Sequence, residues 1–211
     1  MSSKNRISAV IFDMDGVLID AVEWHYEALN RALGNVGVSI SEDLHRSELD
    51  GLPTRVKLDF LTNTIGLPRA LHATINHVKQ VETLRIAAMK CQVRLEVLGL
   101  LQTLKKAGVP TAVATNSIRM TTEVMLSLSG LRQFFTLVLT NEDVTNPKPD
   151  PEIYETACRL LGVNPDSTLV IEDSAHGVTA AESAGCRVLR LLDPNQLNKE
   201  TLSSNGFELW H

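Results

Sequence analysis

Short apolar runs that end abruptly in polar residues recur along the chain. They cover residues 7–12, 111–114, 137–139, 169–171 and 188–192. Continuous runs of this kind, rich in β-branched residues, are typical of strands that are buried on both faces of a parallel sheet. We therefore predict five strands, each followed directly by polar side chains.

The segments between these runs have helical periodicity. Val97, Leu101 and Leu104 are spaced to share one face of a helix, and Met120, Val124 and Leu128 repeat that spacing further along the chain. Asp150 and Pro151 predict a helix start, with the acid at the N-cap and proline in the first turn. Alternating strands and helices predict an α/β fold with a Rossmann-like, doubly wound parallel sheet.

One long stretch after the first predicted strand interrupts this alternation. Between residues 19 and 94 we find no convincing strand, and the apolar residues have only helical spacing: Leu29, Leu33 and Val36, then Val56, Phe60 and Leu61. A crossover needs far fewer residues. We predict an α/β core formed by residues 1–18 and 92–211 and an inserted all-helical cap domain at 19–91. Residues 21–94 carry nine basic and eight acidic side chains and four of the six histidines.

Composition excludes several classes of protein. The 211 residues carry a net charge of −5 and only 4% aromatics, which argues against nucleic-acid binding. No apolar run approaches a membrane span, and residues 1–12 do not resemble a secretory signal, so we expect a cytoplasmic protein without a membrane partner. Three cysteines without metal-type spacing predict small buried thiols. The sequence leaves the oligomeric state open, and a monomer is the simplest expectation.

Acidic side chains follow the first and fourth predicted strands. Asp13 and Asp15 follow the first, and Glu172 and Asp173 follow the fourth. In a doubly wound sheet the carboxyl ends of the strands form the ligand crevice, where four carboxylates would repel one another without a cation. Ligands that are all oxygen favour Mg²⁺. A calcium-binding EF-hand loop does not fit, because Trp24 stands where that loop needs glutamate.

Four ordered motifs resemble those of the haloacid dehalogenase superfamily. They are residues 13–16 (DMDG), 114–117 (ATNS), 148–151 (KPDP) and 172–174 (EDS). The helical insertion resembles the C1-type cap of the β-phosphoglucomutase-like subgroup. The dehalogenases of the superfamily lack the second aspartate, so Asp15 favours phosphoryl transfer. Ala21 departs from the serine or threonine common in the subgroup, which bears on the substrate and not on the chemistry.

The resemblance implies a role for each matching residue. Asp13 is the expected nucleophile, Asp15 the general acid and base, and Thr115 and Lys148 the partners of the phosphoryl group. The expected Mg²⁺ ligands are Asp13, Asp15, Glu172 and Asp173, and the expected substrate-binding residues are Gly16, Asn116, His25 and Arg55. Simpler interpretations stay open: Thr115 and Asn116 as a helix N-cap, Lys148 and Arg55 as solvated side chains, and His25 as a packing residue.

These expectations combine into one principal hypothesis and two alternatives. The chain is expected to be a Mg²⁺-dependent phosphatase that hydrolyses a small phosphorylated metabolite, a sugar or polyol phosphate, through an aspartyl-phosphate. A phosphomutase of the β-phosphoglucomutase type would use the same intermediate. A non-catalytic binding or regulatory module would be expected to lose Asp13, Asp15 or Lys148, and all three are present.

Overall fold

The central element of the fold is a five-stranded parallel sheet. The computed structural model describes residues 7–204, so the terminal residues 1–6 and 205–211 of the predicted core lie outside the described part. The strands are β1 (Ala9–Phe12), β2 (Thr111–Ala114), β3 (Leu137–Leu139), β4 (Thr168–Glu172) and β5 (Arg187–Arg190), in the spatial order β3-β2-β1-β4-β5. Strands lie on both sides of β1 in this order, which confirms the predicted doubly wound α/β class.

Helices cover both faces of the sheet. They are α5 (Leu95–Lys106), α6 (Arg119–Leu128), α7 (Glu152–Leu161), α8 (Ala175–Ser183) and α9 (Lys199–Ser204). Side chains along β1 alternate between the two layers, because successive residues of a strand point to opposite faces. Val10 and Phe12 pack in one apolar cluster with α5, and Ile11 packs in the other with Tyr154 of α7.

The insertion between β1 and β2 is helical in the structure. It consists of α1 (Val22–Gly34), α2 (Glu42–Leu44), a π-helical turn (His45–Leu49), α3 (Thr54–Ile65), a 3₁₀ turn (Arg69–Leu71) and α4 (His72–Lys90). These helices enclose an apolar cluster of their own, which includes Leu29, Leu33 and Leu61. The division into a core and a cap at residues 19 and 91 stays a prediction.

Helix α6 buries a different face from the one that the spacing of its apolar residues predicts. Met120, Val124 and Leu128 are 63%, 36% and 44% exposed, whereas Thr121, Thr122, Met125 and Leu126 are buried. The helix that their spacing predicts is present, but these three residues do not form its buried face. Thr122 tolerates the buried side because its hydroxyl is satisfied within the helix: its Oγ1 donates to the carbonyl of Ile118 at 2.9 Å.

Two further predictions need correction. Pro151, not Asp150, occupies the N-cap of α7, although Asp150 Oδ1 still accepts a hydrogen bond from Glu152 N at 3.0 Å. Strand β5 is not buried on both faces, because it forms an edge of the sheet, and Arg190 at its end is exposed. Edge strands have only one neighbour and need less apolar cover.

Two other sequence expectations concern membranes and thiols. Within residues 7–204, no helix combines the length and apolarity needed to cross a bilayer. All three cysteines are free; two are buried as predicted, and Cys91 is only half-buried.

Candidate active site

A cavity of about 450 Å³ lies where the carboxyl ends of the strands face the helical insertion. Its size suits a small metabolite. Eight of the predicted site residues line it: Asp13, Asp15, His25, Arg55, Thr115, Asn116, Lys148 and Asp173. Gly16 and Glu172 do not line it. The doubly wound topology therefore brings together side chains that are up to 160 positions apart in the sequence.

A buried ion pair between Asp13 and Lys148 lies at the base of the cavity. Lys148 Nζ donates to Asp13 Oδ1 at 2.6 Å and to the carbonyl of Ala114, at the end of β2, at 2.8 Å. Burial disfavours the charge of Lys148, but Asp13 and Glu172 hold the pKa of its ammonium above the usual value. Among residues 7–204, Oδ2 of Asp13 accepts no hydrogen bond, so one oxygen of this carboxylate is available for chemistry.

Glu172 is buried beneath this pair and is 0% exposed. Its Oε1 accepts from Lys148 Nζ at 2.5 Å and from the Tyr154 hydroxyl at 2.7 Å. Its Oε2 accepts from the backbone nitrogens of Asp173 and Ser174 at 3.1 and 3.3 Å and from the Ser174 hydroxyl at 3.2 Å. Five hydrogen bonds engage its two oxygens, so Glu172 positions Lys148.

Asp15 lies between the core and the helical insertion. Ser117 Oγ donates to its Oδ2 at 2.7 Å, and Nε2 of His25, on α1, lies 3.0 Å from its Oδ1. Although burial opposes the charge, His25 and Ser117 lower the pKa of the Asp15 carboxyl below its usual value. Burial also lowers the pKa of His25, so this imidazole is neutral at neutral pH despite its acidic neighbour.

Three carboxylates converge in a group that could hold a cation. One oxygen from each of Asp13, Glu172 and Asp173 lies within 4.8 Å of the others. Burial and the neighbouring Glu172 raise the pKa of Asp13 well above its usual value and that of Asp173 to about 7. A divalent cation would relieve this repulsion. Contrary to the expected ligand set, Asp15 lies outside the group, because His25 and Ser117 engage its carboxylate.

Gly16 shapes this acidic group without lining the cavity. Its φ of +84° is a backbone conformation that favours glycine. A Cβ at this position would overlap the Asp173 carboxylate. Gly16 therefore gives Asp173 room to approach Asp13, which differs from the substrate contact expected from the sequence.

Thr115 and Asn116 do not cap a helix. The N-cap of α6 is Ile118, whereas Thr115 Oγ1 accepts from Ser117 N at 3.1 Å. Asn116 connects three segments, since its Nδ2 donates to the carbonyls of Gly51 at 2.7 Å and Lys148 at 3.2 Å. The N-cap interpretation is wrong for both residues. Asn116 holds the segment that carries Lys148 against the helical insertion.

Several residues of the site were not predicted from the sequence. Ser117 stands inside a quoted motif and could have been chosen from its position two residues after Thr115. Tyr154, Lys57 and Lys79 carry no comparable signal, because only the folded chain brings them to the site. Lys79 Nζ lies 3.0 Å from His25 Nδ1, across 54 positions of sequence.

Comparisons with known proteins show which family and which proteins the whole chain is similar to. The sequence profile of the family described as haloacid dehalogenase-like hydrolase matches residues 10–191. The chain is 34% identical over 179 residues to "Phosphorylated carbohydrates phosphatase" of Thermotoga maritima, covering 85% of this chain and 82% of that protein. It is 32% identical over 178 residues to "Validoxylamine A 7'-phosphate phosphatase" of Streptomyces hygroscopicus subsp. limoneus, with coverage of 83% and 81%.

Among solved structures, the β-phosphoglucomutase of Clostridium difficile superposes with a TM-score of 0.81 at 23% identity. The superposition covers 95% of this chain and 97% of that one. At this identity the likeness shows a shared fold.

Proposed function

Because this chain belongs to the haloacid dehalogenase-like hydrolase family and is a phosphatase of phosphorylated compounds, we propose that it hydrolyses a small sugar or polyol phosphate with Mg²⁺ through an aspartyl-phosphate. The observation that carries this proposal is the pair Asp13 and Lys148, with Asp15 beside it on the same cavity. The relatives named for phosphorylated carbohydrates and for a validoxylamine phosphate support the substrate class.

Asp13 is the proposed nucleophile. An oxygen of its carboxylate attacks phosphorus, the bond from phosphorus to the ester oxygen breaks, and Asp15 gives its proton to the leaving alkoxide. Water then attacks the aspartyl-phosphate, Asp15 takes a proton from it, and inorganic phosphate and free Asp13 result. An arriving phosphate dianion raises the pKa of Asp15, which favours the protonated form that the first step needs.

The other core residues hold the reacting groups in place. Lys148 offsets the charge that develops on the phosphoryl oxygens, and Glu172 fixes its ammonium. Thr115 lines the same cavity as Asp13. Arg55 and His25 are the proposed contacts to the remainder of the substrate from the cap.

The acidic group fits a Mg²⁺ ion. Asp13 and Asp173 would hold it, because Glu172 is occupied by five donors, and the oxygen-only ligand set is the one that Mg²⁺ prefers. When bound, the ion supplies charge neutralisation at the phosphoryl group. Gly16 leaves Asp173 the room to serve as a ligand.

Replacing Asp13 with asparagine tests the nucleophile. Asp13→Asn should abolish phosphate release from p-nitrophenyl phosphate in the presence of Mg²⁺, because an amide cannot form the phosphoenzyme. Asp166→Asn is the matched control: this exposed aspartate precedes β4, at the opposite end of the strand from the site, and the variant should keep wild-type activity. Activity that persists in Asp13→Asn contradicts the mechanism.

A phosphomutase is the second candidate, favoured by one contact. His25 Nε2 is 3.0 Å from Asp15 Oδ1, so the cap reaches the group that would activate either water or a sugar hydroxyl. With β-glucose 1-phosphate as substrate, a mutase yields the isomerised sugar phosphate and a phosphatase yields free phosphate. We propose that the protein is a phosphatase, so free phosphate should be its main product from this substrate.

We also propose a cytoplasmic location, a monomeric state, and a division into a core (1–18, 92–211) and a cap (19–91). The three free cysteines support the cytoplasm, where thiols stay reduced.

A further inference from the structure

The wall of the cavity that belongs to the helical insertion carries two buried lysines. Lys57, on α3, is 6% exposed, and Lys79, on α4, is 7% exposed. Both line the cavity. Among residues 7–204, neither ammonium has a carboxylate oxygen within 4.0 Å; the lysines that form ion pairs are Lys90 and Lys148. Buried lysines are rare unless they are paired.

The closest polar partners of these lysines are histidines. Lys57 Nζ lies 3.3 Å from His45 Nε2, and Lys79 Nζ lies 3.0 Å from His25 Nδ1. Burial lowers the pKa of His45 to about 3, so its imidazole is neutral. A neutral ring can accept a hydrogen bond, but it carries no negative charge to balance the ammonium. Burial also lowers the pKa of Lys57 to about 8, which Asp50 and Asp15 oppose only in part.

An apolar side chain at position 57 would be less costly to bury than an unpaired ammonium. Lys79 is already connected through His25 to Asp15 and so to the reacting groups. Lys57 has no such connection. A buried cation that is only partly compensated, faces a cavity and takes no part in the reaction is an arrangement that suits an anionic ligand.

We propose that Lys57, assisted by Lys79, binds a second anionic group of the substrate, a phosphate or a carboxylate, while the first phosphate occupies Asp13. The inference rests on the proposed function and narrows its substrate class to bisphosphates and phosphorylated sugar acids. Arg55, expected from the sequence to bind the substrate, is exposed. Lys57 is buried, where less solvent screens its attraction to an anion.

Calorimetric binding to the Asp13→Asn protein with Mg²⁺ tests the inference, because it needs no turnover. The probes are two matched pairs: fructose 6-phosphate with fructose 1,6-bisphosphate, and glucose 6-phosphate with 6-phosphogluconate. In at least one pair, the compound with the second anion should bind about ten-fold more tightly. The bisphosphate pair reports a second phosphate, and the sugar-acid pair reports a carboxylate.

Adding Lys57→Met should bring that affinity ratio close to one, and Lys57→Arg should retain most of it. Lys90→Met is the matched control, because Lys90 lies on the surface and pairs with Glu27, so the ratio should not change. A ratio near one in the parent protein, or a ratio that Lys57→Met leaves unchanged, overturns the inference. Thermal melting of Lys57→Met shows that any loss of binding is not a loss of folding.

The same proteins separate this inference from the proposed function. Phosphate release by the wild type from p-nitrophenyl phosphate, together with an affinity ratio near one, refutes only the anion site. A Lys57-dependent ratio in the absence of phosphate release refutes only the proposed phosphatase.

Discussion

At the scale of single residues, Glu172 belongs to the group that could hold a cation, as expected, and also has contacts that the sequence does not predict. The sequence predicts a metal ligand, and the structure shows a carboxylate whose two oxygens accept five hydrogen bonds. Its neighbour Asp173, with fewer internal partners, is the better ligand. Adjacent acids of one motif thus have separate tasks: Glu172 orients Lys148, and Asp173 is the proposed ligand of the cation.

Tyr154→Phe tests the orienting task. The change removes the hydroxyl that donates to Glu172 Oε1 and keeps the ring. We expect the free energy of unfolding to fall by about 1 kcal/mol, since a buried acceptor loses one of several donors. We also expect kcat for p-nitrophenyl phosphate to fall roughly three- to ten-fold with KM little changed, because Lys148 is less firmly held.

Tyr26→Phe is the control for this variant. The Tyr26 hydroxyl donates to the carbonyl of Ile40 at 3.3 Å, inside the helical insertion and away from the cavity lining. The Tyr26→Phe variant should lose a similar or smaller amount of its free energy of unfolding and should keep the kcat of the wild type. If Tyr154→Phe loses stability but keeps full kcat, Tyr154 is a packing residue alone.

At the scale of elements, α6 shows that the spacing of apolar residues does not identify the buried face by itself. Met125 is 0% exposed and Met120 is 63% exposed on the same helix. Met125→Ala should lower the free energy of unfolding by about 2–4 kcal/mol through the cavity it leaves. Met120→Ala should change it by less than about 0.5 kcal/mol. Urea unfolding of the two variants measures both values, and equal losses would contradict the observed orientation.

The elements that could be predicted from the sequence are those with a local signal. The parallel strands could be predicted because each is a short apolar run, and the helical insertion because it lacks such runs. Asp13 and Asp173 could be placed because each follows a strand whose end the pattern marks, whereas Lys148 could be placed only through its motif. Lys57 could not be placed, since its burial depends on how α3 packs against its neighbours.

At the scale of the whole molecule, Lys57 makes stability depend on pH. The unfolded chain keeps the Lys57 proton up to its ordinary pKa of 10.5, whereas the folded protein releases it near a pKa of about 8. Below pH 8 both states carry the charge, and the folded state bears the full cost of burying it. Between pH 8 and 10.5 the unfolded state binds more protons, so the stability of the wild type rises with pH.

The comparison with Lys57→Met isolates this effect. The variant should be more stable than the wild type by about 3 kcal/mol below pH 8, and the difference should disappear towards pH 10.5. Chemical unfolding of both proteins at pH 7, 9 and 10.5 measures it. A variant that is less stable than the wild type at pH 7 would show that the lysine has a structural partner.

The contact between the helical insertion and the core has a consequence for engineering. Gly51 has a φ of +73°, a Cβ there would come within 2.9 Å of the Ser174 Cβ, and its carbonyl accepts from Asn116. The insertion is therefore matched to two particular loops of its own core. A chimera that receives the helical insertion of a relative would therefore also need compatible residues at positions 116 and 174. The insertion and these two loops should be exchanged together.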